Sequence, residues 1–283
     1  MQLVMFTKHL EGLDLPGIIR GLKEAGLDGA DLCVRPGYPV NPDNVKDELP
    51  RAVKAFADEG LSIPLVTTPG DFRTPDDPRA EPLYAACGEC GVKLIKLGYW
   101  LFDKGDDYWK RVDEHRKHLE GFAALSRKYG VKTVVHTHSG SYMALNASAA
   151  HHLVDGFDPQ EIGVYLDTGH LAICGEPMPM AISIVRKYVA CFAFKDLWKL
   201  PGPWGGRYIY RPETRKLGWG SVDWEEVAEA IISAGLDDLT ISLHSEYGGL
   251  PPEAVLGITR ADVWFVRDLF ERTRRKLEEQ RNA

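Results

Sequence analysis

Short apolar runs alternate along this chain with longer segments whose apolar positions recur three and four residues apart. The runs predict strands at Leu3–Thr7, Gly29–Val34, Ile63–Thr67, Leu94–Gly98, Thr133–His138, Gly163–Asp167, Ala190–Lys195 and Leu239–His244. Helical periodicity predicts helices near Leu15–Ala25, Val45–Glu59, Pro82–Glu89, Tyr108–Lys128, Ala147–Leu153, Met180–Lys187 and Trp224–Ser233, with a terminal amphipathic helix at Arg260–Gln280. Five of these helices run into the next strand through a glycine followed by Leu or Val: Gly26-Leu27, Gly60-Leu61, Gly91-Val92, Gly130-Val131 and Gly235-Leu236. Glycine just past a helix supplies the left-handed residue that ends it, and a short bounded apolar run after it suits a buried parallel strand. Eight such units in about 250 residues predict an α/β fold of the closed (β/α)8 barrel type. A doubly wound open sheet is the alternative, but Thr7-Lys8-His9-Leu10-Glu11-Gly12, after the first strand, lacks the glycine-rich turn it would use.

Composition narrows the partners. The 283 residues carry 34 Lys+Arg against 41 Asp+Glu, a net charge of −7, with no block of like charge. Nucleic acid and anionic membrane surfaces demand clustered basic residues, so neither is expected. Met1-Gln2-Leu3-Val4-Met5-Phe6 reads as a strand, and no stretch has the roughly 20 apolar residues of a membrane span. Five irregularly spaced cysteines suit a reducing compartment. The expectation is one cytoplasmic barrel domain over residues 1–283, with a homo-oligomer left open.

A barrel enzyme carries its chemistry at the C-terminal ends of its strands, and the polar residues here sort that way. Lys8 and His9 follow strand one, Arg35 strand two, and His136, His138 and Ser139 end strand five. Strand six ends in Asp167-Thr168-Gly169-His170, strand seven in Lys195-Asp196, and strand eight in His244-Ser245-Glu246. Residues two apart on a strand share a face, which pairs His136 with His138 and His244 with Glu246. Imidazole and carboxylate together suit a divalent cation, and a hydrogen-bonded polar cluster lining a ligand cavity is the alternative. Other features read as structural. Cys87-Gly88-Glu89-Cys90 has no second pair, His115 and His118 belong to a solvated helix face, and His151-His152 diverge on a helix surface. The Gly/Pro-rich segment from Trp198 to Thr214 is long enough to be a lid over the barrel mouth.

These residues carry a resemblance. His136-Thr137-His138-Ser139-Gly140 resembles the strand-five Glu-Asn-His-x-Gly motif of the sugar phosphate isomerase/epimerase group of xylose-isomerase-like TIM barrels. Leu166-Asp167-Thr168-Gly169-His170 is similar to that group's Asp-x-x-His motif, Phe194-Lys195-Asp196 to its strand-seven Lys-Asp, and Leu217-Gly218-Trp219-Gly220-Ser221-Val222-Asp223 to its Leu-Gly-x-Gly-x-Val-Asp loop. The start at Phe6-Thr7-Lys8-His9-Leu10, the second strand at Asp31–Pro36 and the end at Ser242–Tyr247 resemble a less characterised bacterial branch. The resemblance implies a divalent metal held by Glu, Asp, His and Glu from strands five to eight, the two glutamates shuttling a proton beside a carbonyl. Carried over, those positions hold His136, Asp167, Ala193 and His244. One ligand is lost and two are changed.

The expected function is therefore a metal-dependent sugar isomerase or epimerase that transfers a proton next to the carbonyl of a keto sugar or sugar derivative. A lyase or hydrolase on the same scaffold (a dehydratase or 3-keto-glycoside cleavage) and a non-catalytic sugar-binding protein are the alternatives. His136, Asp167 and His244 are the candidate ligands for manganese, zinc or cobalt. Glu246, His138 and His170 are the candidate bases, with Lys195 as acid or charge stabiliser. Lys8, His9, Arg35 and Asp196 are candidate substrate contacts, and Trp100 and Trp219 are rim aromatics for stacking on a sugar ring.

Overall fold

In the computed structural model, which describes residues 1–204 and 207–282, strand β1 (Gln2–Phe6) is flanked in parallel by β2 (Gly29–Cys33) and by β10 (Thr240–Leu243). The ring continues through β3 (Ser62–Thr67), β4 (Leu94–Lys96), β5 (Lys132–His136), β6 (Ile162–Asp167) and β7 (Val189–Phe194) and closes in the order β1-β10-β7-β6-β5-β4-β3-β2. The chain folds into the expected closed eight-stranded parallel barrel.

Helices α1 (Leu15–Ala25), α2 (Val45–Asp58), α3 (Ala80–Cys90), α4 (Tyr108–Tyr129) and α5 (Ala147–Val154) follow the early strands. Three of these starts have a local cause in the short polar side chain that precedes them: Asp14 accepts from the Gly17 amide, Asp107 from Lys110, and Asn146 from Ala149. All five junction glycines have positive φ, between 62° and 81°, as the pattern required. Three elements escaped the pattern. A short helix, α6 (Thr168–Cys174), starts directly on β6 with Asp167 as its cap. The segment after β7 is an antiparallel hairpin, β8 (Asp196–Trp204) and β9 (Arg207–Arg215), rather than an irregular lid; Gly205 and Gly206 of the expected lid lie outside the described residues. After α7 (Met178–Val185) and α8 (Trp224–Ser233), the terminal helix α9 runs over Pro252–Asn282, about two turns longer at its start than its periodicity indicates.

Two apolar layers hold this arrangement. Inside the barrel Val4, Leu65, Leu94, Val134, Tyr165, Ala190, Cys191 and Ala193 pack together. Between barrel and helices lies the larger core, with Phe56, Phe72, Phe122, Phe192, Phe194 and Phe270 fully buried, each burial contributing roughly 1.5–3 kcal/mol. His115 corrects the solvated-face expectation: it is buried on the inner face of α4, its ring stacked on Trp100 at 4.8 Å and 11°. The charges around it belong to the outer face of the same helix. Among the described residues no helix is long and apolar enough to cross a membrane.

Asp262 of α9 ties two mouth loops to the helix layer, accepting hydrogen bonds from the Leu217 amide and the Tyr247 hydroxyl. Burial pushes its carboxyl up to about 6, outweighing those hydrogen bonds. The unfolded carboxyl titrates near ~3.9, so between about pH 4 and 6 the folded state binds a proton that the unfolded chain does not. Stability should therefore rise, by on the order of 2–3 kcal/mol at most, as pH falls from 7 through 6 toward 4. Asp262→Asn is expected to abolish this gain while retaining stability at pH 7, as read from urea midpoints across that range. A variant with the wild-type slope would refute the assignment.

Candidate active site and metal centre

The barrel's inner face changes from apolar to polar toward the C-terminal ends of the strands. His136 is the last residue of β5, Asp167 the last of β6, and His244 the first residue past β10, where its amide still donates to the Phe194 carbonyl. All three are buried, and their ligand atoms lie within 4.8 Å of one another. Asp167 Oδ2 stands 3.4 Å from His136 Nε2 and 3.7 Å from His244 Nδ1. Donors about 2.1 Å from one ion sit roughly 3.0–3.4 Å apart, so the cluster needs only a small contraction to share a cation.

The hydrogen bonding points the same way. Asp167 uses Oδ1 to cap α6, accepting from the His170 amide at 2.9 Å, while Oδ2 and His136 Nε2 are buried without a hydrogen-bond partner. Such orphaned groups are costly, which fits them to an ion. Burial, reinforced by the Lys96 ammonium, holds the His136 imidazole well below its ordinary value, so it is neutral as a ligand must be. The ring shares a hydrogen bond with the Tyr99 hydroxyl through Nδ1 at 3.2 Å, a contact of the kind that orients metal-bound histidines. Ala193, at the position of a strand-seven ligand, is buried beside Asp167 and Ser242 in register and offers only a methyl group.

Beside this cluster lies a charged group. Lys195 Nζ donates to Glu246 Oε2 at 2.9 Å, and Lys8 Nζ approaches Oε1 at 3.5 Å. Burial raises the Glu246 carboxyl, but the Lys195 ammonium, His244 and Lys8 outweigh it, leaving the group well below the usual carboxylate range. Burial likewise lowers Lys195, yet the charges of Glu246 and Asp167 hold it above its ordinary value, so it stays protonated. Glu246 does not reach this place by continuing the strand: its amide donates to the His244 carbonyl at 2.7 Å, a tight turn. His138 is also past the end of its strand, its amide bonded to the Ala144 carbonyl. Its Nδ1–H donates to the Ser139 carbonyl at 2.9 Å, which leaves the Nε2 lone pair free, and burial and Lys195 lower it to about 4. The His170 ring lies against His138 at 3.8 Å between centroids, tilted by 31°, with Nδ1 on the Ser139 hydroxyl and Nε2 3.5 Å from Lys195 Nζ; burial keeps it neutral.

The remaining sequence candidates divide. His9 feels the Glu246, Lys8 and Lys195 charges, and burial lowers it. Arg35 donates from Nε to the Thr68 carbonyl at 2.9 Å, its guanidinium 5.4 Å from the Phe6 ring centroid. Trp219 is 67% exposed and, with Arg215, Lys216, Glu246, Tyr247 and Leu250, lines a cavity of about 590 Å³. Two candidates are not brought to the cluster. Trp100 is buried against α4, its indole N–H on the Arg73 carbonyl, so it packs the outer core instead of facing a sugar. Asp196 is also fully buried and accepts from the amides of Leu197, Gly218, Gly220 and Val222 and from the Trp224 indole N–H. With five donors it clamps the loop before α8 and has no capacity left for a substrate.

Sequence reasoning passed over Lys96, Asp31 and Tyr165. Lys96 is buried, with no hydrogen-bond partner and its ammonium 3.6 Å from the centroid of the Tyr99 ring; burial and Arg35 hold it well below its ordinary value. Lys96 and Asp31 are each the one polar member of an otherwise apolar strand, Leu94-Ile95-Lys96 and Gly29-Ala30-Asp31-Leu32-Cys33, and Tyr165 lies two residues before Asp167 on the same face of β6; those were the available signals.

Comparison with known proteins follows this geometry. The family model described as xylose isomerase-like TIM barrel matches residues 19–264. Inosose dehydratase of Lacticaseibacillus casei is 24% identical over 238 residues, covering 75% of this chain and 76% of that protein. Among solved structures, an IOLI protein with a bound zinc atom superposes with a TM-score of 0.76 at 16% identity, covering 96% of this chain and 99% of its own. D-Psicose 3-epimerase of Clostridium cellulolyticum H10, solved with D-tagatose, gives 0.74 at 16% identity, covering 95% and 99%.

Proposed function

The chain belongs to the xylose isomerase-like TIM barrel family, and from that premise we propose that it is a metal-dependent enzyme that removes a proton from the carbon next to a carbonyl in a keto sugar or sugar derivative. The observation that carries this reading is the meeting of His136, Asp167 and His244, with two orphaned ligand atoms, beside the Lys195–Glu246 pair. A divalent cation held there (zinc, manganese or cobalt) supplies positive charge next to a substrate oxygen.

The chain's own groups supply the rest. Glu246, ionised between two lysines, accepts the proton from carbon. Lys195 keeps its charge in a buried place and stabilises negative charge on a substrate oxygen or returns a proton to it. His138, neutral with Nε2 free, is a second acceptor on the same side as His170. Lys8, His9 and Arg35 hold polar substituents at the mouth, and Trp219 offers a ring face.

A second reading, elimination, is favoured by one observation: imidazoles stand at His136 and His244, where the resemblance implies a pair of glutamates. A histidine that holds a cation through one nitrogen and a hydrogen bond through the other has no free basic site. Removing a proton from one face of a carbon and returning one to the other therefore cannot use those two positions, and its second base would have to be the His138 imidazole in place of a carboxylate. Elimination needs one base and one acid: Glu246 takes the C–H proton, the carbon–carbon double bond forms, the C–O bond breaks, and Lys195 protonates the leaving oxygen. The similarity to an inosose dehydratase supports the same outcome.

The test is incubation of the purified, metal-loaded protein with keto sugars, their phosphates and 3-keto-glycosides in D2O, followed by proton NMR. Deuterium entering at the carbon beside the carbonyl is the expected result; an epimer or isomer supports the first completion and an unsaturated product the second. A protein that exchanges no such proton in any of these compounds, and is indifferent to chelator, is a binding protein and refutes the proposal.

A further inference from the structure

We propose that Asp31 and Tyr165 are positioning residues that fix His244 in the tautomer whose Nδ1 is free to bind a cation. Asp31 lies in β2, fully buried in the barrel interior, and three side-chain hydroxyls surround its carboxylate. Thr67 Oγ1 donates to Oδ1 at 2.6 Å; Tyr165 and Ser242 donate to Oδ2 at 3.0 and 3.1 Å. A carboxylate only accepts, and a phenol has a single proton. The Tyr165 proton is therefore committed to Asp31.

Besides the neighbouring Ser242 hydroxyl, which can act on it as a donor, the phenol oxygen meets His244 Nε2 at 2.8 Å. With its proton already given to Asp31, that oxygen accepts here, so Nε2 of His244 bears the ring hydrogen. The lone pair is then on Nδ1, the atom that faces Asp167 Oδ2 at 3.7 Å. If Asp31 did not hold it, the Tyr165 hydroxyl could turn and donate to Nε2, which would place the ring hydrogen on Nδ1, in the position of the cation. The chain Asp31, Tyr165, His244 thus spans β2, β6 and the end of β10, and its direction is set by the group at the far end. Ligating histidines are commonly oriented by an acceptor on their other nitrogen; here the acceptor is a hydroxyl whose own direction is fixed by a buried carboxylate. The consequence for metal rests on the function proposed above, whereas the tautomer does not.

Two measurements on the full chain test this. Long-range proton–nitrogen NMR of the metal-free protein with 15N-labelled histidine reads the tautomer directly, the His244 signals being assigned from a His244→Gln sample. The expected spectrum has the proton on Nε2; a proton on Nδ1 overturns the proposal, and this readout decides even if a variant fails to fold. Zn2+ titration of Tyr165→Phe, which keeps the ring and removes only the hydroxyl, should show affinity about 10–100-fold weaker than wild type. Asp31→Asn, whose amide can present oxygen or nitrogen to Tyr165, should weaken binding less and give a mixture of tautomers. Tyr165→Phe with wild-type affinity and an unchanged tautomer would overturn the assignment. Wild-type protein with the expected tautomer but no Zn2+ binding would remove the metal reading and leave the positioning roles supported.

Discussion

His244→Ala and His136→Ala are each expected to strip the protein of its divalent cation, with affinity falling by more than the roughly 10–100-fold that follows when only a ligand's hydrogen-bond partner is removed. Among the described residues the cluster has three candidate ligands within 4.8 Å, and β7 offers only the methyl group of Ala193 beside them, so each histidine would be one of three ligands to a bound ion. Turnover should drop to that of the chelator-treated wild type. His244→Gln serves as a folding control, because its amide keeps a polar partner for Tyr165. Metal content after dialysis is the measurement. Either alanine variant retaining a full equivalent would show that the ion, if bound, sits elsewhere.

Glu246→Gln is the second large effect, with kcat expected to fall about 100-fold or more while metal content is unchanged, since general-base catalysis typically contributes that much. The carboxylate lies two residues after His244, yet a tight turn brings it to Lys195 and away from the ligand cluster, and none of the three ligands bonds to it. The low proton affinity imposed by Lys195 and Lys8 keeps the group ionised and available across neutral pH. A competing role is to hold Lys195 in place. That role predicts that Lys195→Met is as damaging as the double variant, whereas loss of a base predicts that Glu246→Gln abolishes deuterium exchange even where substrate still binds. Near-normal turnover in Glu246→Gln, or simple loss of metal, would exclude the base assignment.

The barrel was legible because its signals are local and repeated: an apolar run, a helical period and a glycine at the end of each helix. The residues at the strand ends were legible for the same reason, since position in a barrel strand decides which way a side chain faces. The misreadings came from tertiary context. Asp196 follows Lys195 in sequence as though the two were one functional pair, but the adjacent Leu197 amide and four donors from a segment more than twenty residues later take up its oxygens. Trp100 was placed at the rim from its position after β4, while its packing partner, His115, is on a helix whose charged outer face concealed the inner one. Alternation along a strand puts His138 and Glu246 on the faces of His136 and His244. Both strands end before those residues, and turns bring them there instead.

Closure of the ring has a kinetic consequence. Strand β1 is bounded on one side by β10, so Gln2–Met5 must find Thr240–Leu243 across almost the whole chain. Contacts this distant in sequence are slow to form because the loop entropy is lost before the pairing is gained. A ribosome-bound chain lacking β10 would expose the edges of β1 and β7, each a template for misplaced pairing. His244 follows β10 immediately, so its imidazole reaches Asp167 and His136 only when that last gap is filled. Acquisition of a bound cation would then report the final step of folding, and a protein caught before closure would carry two of the three ligands already in place.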